Sequence, residues 1–165
     1  MSAKTIAIFV LICVLLVAGM VFLTARGEKT EAKFTDYTLT NNERPKIDIP
    51  ITKIELGEMK VSDVKQADFT ITNKGTKPLQ IGYINSSCSC TVGQVIYGGK
   101  TSREYGMHDP GQDLIDVAPN TSAIVRVIYR PAVMPVFGAV EREVYVQTND
   151  PEKKRLVLQV TASVK

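Results

Sequence analysis

Two of the chain's three cysteines stand one residue apart, in the stretch NSSCSCTVGQ at residues 85–94. Cys88 and Cys90 admit several chemistries. Residues i and i+2 of a strand share a face, so both sulfurs can reach one partner, and two thiolates on one face supply half of a tetrahedral soft-metal site. A disulfide between them requires a bend, because their Cα atoms stand about 6.5–7 Å apart in an extended strand, at the edge of what the bond tolerates. A bond so placed is readily reduced, which also admits thiol exchange. As small apolar residues the pair could equally fill a core. Met107 and His108, in YGMH at 105–108, are the candidates to complete a metal site. Thioether, imidazole and thiolate together suit Cu(I) better than zinc. Cys88, Cys90, Met107 and His108 with a copper ion therefore form one testable constellation. The plainer roles are an apolar plug for Met107 and a surface turn for His108, beside Asp109 and Pro110.

Other chemistries find less support. His108 is the only histidine, which excludes multi-histidine metal sites. It could serve Cys88 as a base, but no oxyanion-stabilising turn or activating helix start accompanies the pair. The expectation is a protein that is not an enzyme. Asp109, Asp113 and Asp116 lack the dense alternation of a calcium loop and read as exposed turn residues. The net charge of +3 is scattered, with no basic block or basic helix, so no nucleic-acid partner is expected.

The elements that must position these residues follow from hydropathy. Ile6 to Leu23 is an uncharged, proline-free run close to the ~20 apolar residues that span a bilayer. It is longer than the ~7–15-residue core of a typical signal peptide, and Leu23 stands where a small residue is wanted before a cut at Ala25. Residues 1–25 are therefore read as an uncleaved signal anchor, a single transmembrane helix. Lys4 on one side against Arg26, Lys29 and Lys33 on the other leans against export of the C-terminal part. Residues 26–46 are polar and without sustained period, a stalk.

From Ile47 the pattern becomes short alternations broken by turn residues. Ala67, Phe69 and Ile71 share one face, opposite Asp68, Thr70 and Thr72. Leu79, Ile81 and Tyr83 resume after the Asn73–Gly75–Pro78 break. Val140, Val144 and Val146, then Leu156, Leu158, Val160, Ala162 and Val164, form further inward rows. About seven strands emerge, near 51–57, 66–73, 79–86, 90–97, 122–130, 140–148 and 155–164. They predict an all-β, immunoglobulin-like β-sandwich over 47–165. The glycine-rich gap at 98–121 is long enough to be functional.

Four motifs carry a resemblance: the Asn-x-Gly turn (Asn73, Gly75), Cys-x-Cys-Thr (Cys88, Cys90, Thr91), a turn at Pro119, and Thr-Asn-Asp-Pro (Thr148 to Pro151). Residues 47–165 resemble the bacterial domain of unknown function 1573, within the PapD-like and ASH-type immunoglobulin-like group. Two departures stand out: Ser89 replaces the usual glycine between the cysteines, and the loop carrying YGMH is longer than in the plainest members. The resemblance implies a seven-stranded sandwich, usually exported, with no assigned reaction. It turns the orientation outward.

The expected function is therefore a single-pass membrane protein, held through residues 6–23, displaying a binding or assembly module outside the cytoplasm to a protein partner in the envelope. Contact through a strand edge or a face is the expected mode. A copper-handling or thiol-redox domain is the alternative.

Overall fold

The computed structural model describes residues 2–25, 33–111 and 113–165. It divides into two compact units, one ending at Glu31 and one running from Ala32 to Lys165. The first contains helix α1, Ala3–Ala25. Its window Lys4–Phe22 is long and apolar enough to cross a membrane, with mean hydropathy 3.0 and none of it buried against protein. Leu, Val, Ile and Phe lie on all sides of it, the composition of a helix whose solvent is hydrocarbon rather than water. A signal sequence has the same character.

The second unit is a β-sandwich of immunoglobulin-like class. In chain order its strands are β1 (Ile47–Asp48), β2 (Lys53–Met59), β3 (Lys65–Asn73), β4 (Leu79–Ser86), β5 (Thr91–Tyr97), β6 (Lys100–Thr101), β7 (Ile115–Val117), β8 (Ser122–Tyr129), β9 (Gly138–Thr148) and β10 (Arg155–Val164). One sheet has the order β1-β3-β8-β5-β6 and the other β2-β10-β9-β4-β7. Every pairing is antiparallel except that of β2 with β10. Period-two alternation builds the core between the sheets. Phe69 and Ile71 of β3, Val125 and Val127 of β8, Val144 and Val146 of β9, and Leu158 and Val160 of β10 are all buried, while Asp68, Thr70, Glu141 and Val157 face out.

Ten strands replace the expected seven. The seven long ones lie where the alternation placed them, and β1, β6 and β7 are added, each of two or three residues. Two of these break up the gap at 98–121. Gly98 and Gly99, both at positive φ, turn β5 back into β6, as a two-residue hairpin turn requires. The inward row of β4 also differs from expectation. Tyr83 has a φ of 47° and sits at a register shift between Gly82 and Asn85, so Ile84 takes the core position expected of Tyr83. An inserted residue of this kind reverses the facing of everything beyond it.

Residues 33–46, expected as stalk, lie against the sandwich, and 26–32 fall outside the described residues. The Phe34 ring meets that of Tyr83 at 5.4 Å between centroids. The N–H of Thr35 donates to Gln80 Oε1, and the carbonyls of Arg44 and Lys46 accept from Thr76 and Lys74. A polar, aperiodic segment holds its place here through main-chain hydrogen bonds together with the Phe34 ring contact and the buried Pro45.

Candidate functional site

Cys88 and Cys90 are not in a strand. They occupy the turn joining β4 to β5, closed by the Thr91 N–H donating to the Cys88 carbonyl at 3.2 Å. The turn supplies the bend that an extended pair lacks: the Cα atoms stand 5.3 Å apart and the two sulfurs form a disulfide. Both neighbouring strands pin it. Ser87 N–H donates to the Glu143 carbonyl, and Ser87 Oγ accepts from Glu143 N–H at 3.0 Å. On the other side Arg130 N–H donates to the Cys90 carbonyl at 2.8 Å, while Ser86 Oγ donates to that of Cys88. The backbone of the turn is therefore held independently of the sulfur–sulfur bond.

The disulfide caps one end of the sandwich. It packs in a second apolar cluster with Met59, Tyr129, Val140, Ala162 and Val164. Polar groups also reach this cluster. The half-buried Arg142 of β9 donates through Nε to Cys90 Sγ at 3.3 Å, and its guanidinium lies over the Tyr129 ring, 5.6 Å from the centroid. Thr91 Oγ1 lies 3.4 Å from Cys88 Sγ and 3.8 Å from Cys90 Sγ. The two residues differ slightly in enclosure: Cys88 is 8% exposed and Cys90 1%.

Met107 and His108 fall in a bend, both exposed, while the two sulfurs are bonded to each other and buried. The backbone just before them does return toward the turn, since a Cβ on Gly106 would sit 3.7 Å from the Thr91 carbonyl. A sulfur engaged in a disulfide offers no thiolate to a metal, so Cys88, Cys90, Met107 and His108 could act as one ligand set only after reduction. Among the described residues no group of three or more His, Cys, Asp or Glu side chains is placed to hold a metal ion.

Beside the turn lies a run of eight exposed residues, 132–139, without a charge among them. Val133, Met134, Val136 and Phe137 all show large apolar surface, Phe137 to 69%. The run is bracketed by residues that touch the disulfide turn: Arg130 at its start and Val140 at its end. The bidentate pair of Arg130 with Glu104, at 2.8 and 2.6 Å, also ties the 98–121 segment to this end. That pairing holds the Glu104 carboxyl below the usual glutamate range. A separate open cleft, of about 520 Å³, lies between β6 and β7. Arg103 pairs with Asp109 and Asp113, and Tyr105 OH donates to Asp113.

Residues 47–101, from β1 through β6 and including the disulfide turn, match a family model. That model is DUF1573. DUF1573 is described only as a protein of unknown function. Among solved structures, a protein of unknown function from Porphyromonas gingivalis W83 is similar at a TM-score of 0.58 and 16% identity, over 76% of this chain and 49% of that one. A family 123 glycoside hydrolase from Clostridium perfringens is similar at 0.51 and 9% identity, over 69% of this chain but 23% of the hydrolase. The ASH / PapD-like domain 7 of human CEP192 aligns at 0.44 and 12% identity, over 81% of this chain and 98% of that domain. The chain thus spans at most half the length of the first two, and the likeness is one of fold. Among curated proteins none matches the sequence.

Sequence reasoning overlooked Arg142 and the 132–139 run. Arg142 is 52 residues from Cys90 and carries no local pattern. The run AVMPVFGA was legible as apolar and uncharged, and it fell between the strands expected at 122–130 and 140–148 without being weighed as a contact surface.

Proposed function

We propose that this chain is a membrane-anchored immunoglobulin-like module, displayed outside the cytoplasm, that binds another envelope protein through its apolar segment at 132–139. The observation carrying this reading is the exposure of Val133, Met134, Val136 and Phe137 in one uncharged run. Scattered surface apolar residues are ordinary, but a contiguous group marks a contact site.

Strand addition, the other contact mode of open sandwiches, is poorly served by the edges. β1, β6 and β7 are two or three residues long, too short to template a partner strand. On the β2 edge, Lys65 Nζ already donates to the carbonyls of Leu56 and Glu58. A protein surface is also favoured over an anionic lipid surface. The cations flanking the segment are engaged, Arg130 by Glu104 and Arg142 at Cys90, so neither is offered to headgroups.

The test is a photo-crosslinker at Phe137 in the full chain, with one at exposed Lys100 as control. A discrete protein adduct from Phe137 alone, lost with Met134→Ser, is expected; adducts to lipid only, or equal adducts from both positions, would overturn the reading. Deleting Ile6 to Leu23 should release the protein from membranes, and retention without them would remove the anchor from the proposal.

A further inference from the structure

We infer that Cys88–Cys90 is a thiol-exchange site, in which Cys88 Sγ is the sulfur attacked and Cys90 leaves as a thiolate held by Arg142. The inference goes beyond the binding reading, and either can fail without the other.

Three observations fix the roles. Attack on a disulfide needs approach to one sulfur along the bond, and within this buried pair Cys88 is the less enclosed residue, 8% exposed against 1%. The rate also depends on how well the departing sulfur carries negative charge. Cys90 Sγ already accepts a hydrogen bond from Arg142 Nε at 3.3 Å, and a guanidinium beside a sulfur stabilises its thiolate over its thiol. Finally, the turn is pinned by Ser86, Ser87, Thr91 and Arg130, so the two sulfurs stay adjacent after the bond opens and can close it again.

The charged surroundings leave Arg142 in sole command of Cys90. Among the described residues, the elements packed on the pair present carbon from Met59, Val140, Ala162 and Val164, and the Tyr129 ring with its hydroxyl. Arg130 is held by Glu104, and Glu143 accepts from Tyr145 OH at 2.6 Å.

The co-reactant is a dithiol reductant. Its thiolate attacks Cys88 Sγ, the Cys88–Cys90 bond breaks, and the bonding pair departs on Cys90 Sγ. The reductant's second thiol then gives up its proton and attacks its own sulfur in the mixed disulfide, releasing Cys88. Two electrons and one proton pass to the protein, which ends with Cys88 as a thiol and Cys90 as a thiolate; the reductant ends as a disulfide and its other proton goes to solvent. Running the steps backward, the reduced pair reduces an incoming disulfide.

The experiment uses the full chain in detergent micelles with Cys13→Ser, which removes the remaining thiol. Brief treatment with glutathione, acid quenching and peptide mass mapping should place the adduct on Cys88. Reduction by dithiothreitol at neutral pH should slow about fivefold in Arg142→Gln, and Arg142→Lys should recover part of the loss. With Cys88→Ser, alkylation of Cys90 against pH should show a midpoint below the ordinary ~8.5 of a cysteine, returning toward it when Arg142→Gln is added. Far-UV circular dichroism confirms folding of each variant. An adduct on Cys90, equal rates in folded Arg142→Gln, or a pair that resists dithiothreitol while folded would overturn the assignment.

Discussion

Asp150 Oδ2 accepts a hydrogen bond from the backbone N–H of Ile47 at 2.8 Å, joining positions 103 residues apart. The same carboxylate accepts from Glu152 N–H through Oδ1, which also lies 3.6 Å from Arg44 Nη1. Asp150 is fully buried, so these partners replace water for a charge that could not otherwise be placed there. Asn73 acts alike one strand away: its amide donates to the carbonyls of Lys77 and Val117, and its oxygen accepts from Gly75 N–H. Residues that look like turn formers are thus the clamp fastening segment 44–48 to both sheets.

Removing that clamp has a defined cost. Asp150→Ala leaves two main-chain N–H groups without their acceptor and should destabilise the domain by about 2–4 kcal/mol. Urea unfolding of the full chain, followed by circular dichroism, checks it; a loss under about 1 kcal/mol would show that solvent replaces the carboxylate.

Gly75 is constrained by closeness instead of dihedral angle. A Cβ there would collide with the Arg44 carbonyl and the backbone nitrogen of Lys46. Gly75→Ala should therefore lift segment 33–46 from the sandwich, and limited proteolysis should cut within it faster than in the wild type.

The Glu104–Arg130 pair predicts a pH dependence. Because the bidentate contact lowers the folded-state pKa of Glu104, its contribution is present above the ordinary glutamate value and is lost as pH falls through the lower folded value. Glu104 is 40% exposed, so screening limits the effect to at most about 1 kcal/mol. Glu104→Gln should be less stable than the wild type near neutrality, and the difference should shrink as pH falls below the ordinary glutamate value. A constant difference over that range would mean the pair does not act through ionisation.

Tyr129 gives the opposite sign. Its hydroxyl is buried without a hydrogen-bond partner among the described residues, so its desolvation is uncompensated. Tyr129→Phe should leave stability unchanged or raise it by up to about 1 kcal/mol. A drop in the thermal midpoint would indicate a partner, such as a bound water, for that oxygen.

The long strands were legible because burial on one face writes a period of two into the chain, as Ala67, Phe69 and Ile71 do. β1, β6 and β7 were not, since two or three residues cannot display a period. The bulge at Tyr83 was hidden because either Tyr83 or Ile84 fits an inward place by composition, and backbone geometry alone decides between them. Segment 33–46 misled because much of its attachment runs through carbonyls and N–H groups, which every sequence possesses, and its side-chain contacts are isolated ones with no period. At the candidate site the cysteine spacing was visible and the need for a bend could be worked out from it. The turn that provides the bend, and the guanidinium brought to Cys90 from β9, depend on strand pairing.

The parallel pairing of β2 with β10 has a consequence for biosynthesis. Lys53 meets Gln159 and Met59 meets Val164, so β2 emerges from the ribosome about a hundred residues ahead of its partner, a wait of roughly 5–20 s at ordinary translation speed. Once β8 has emerged, the sheet β1-β3-β8-β5-β6 can form while the other still lacks the strand that joins β2 to β9. A nascent chain in that state exposes an apolar face and an open β-ladder together, the combination that folding helpers recognise.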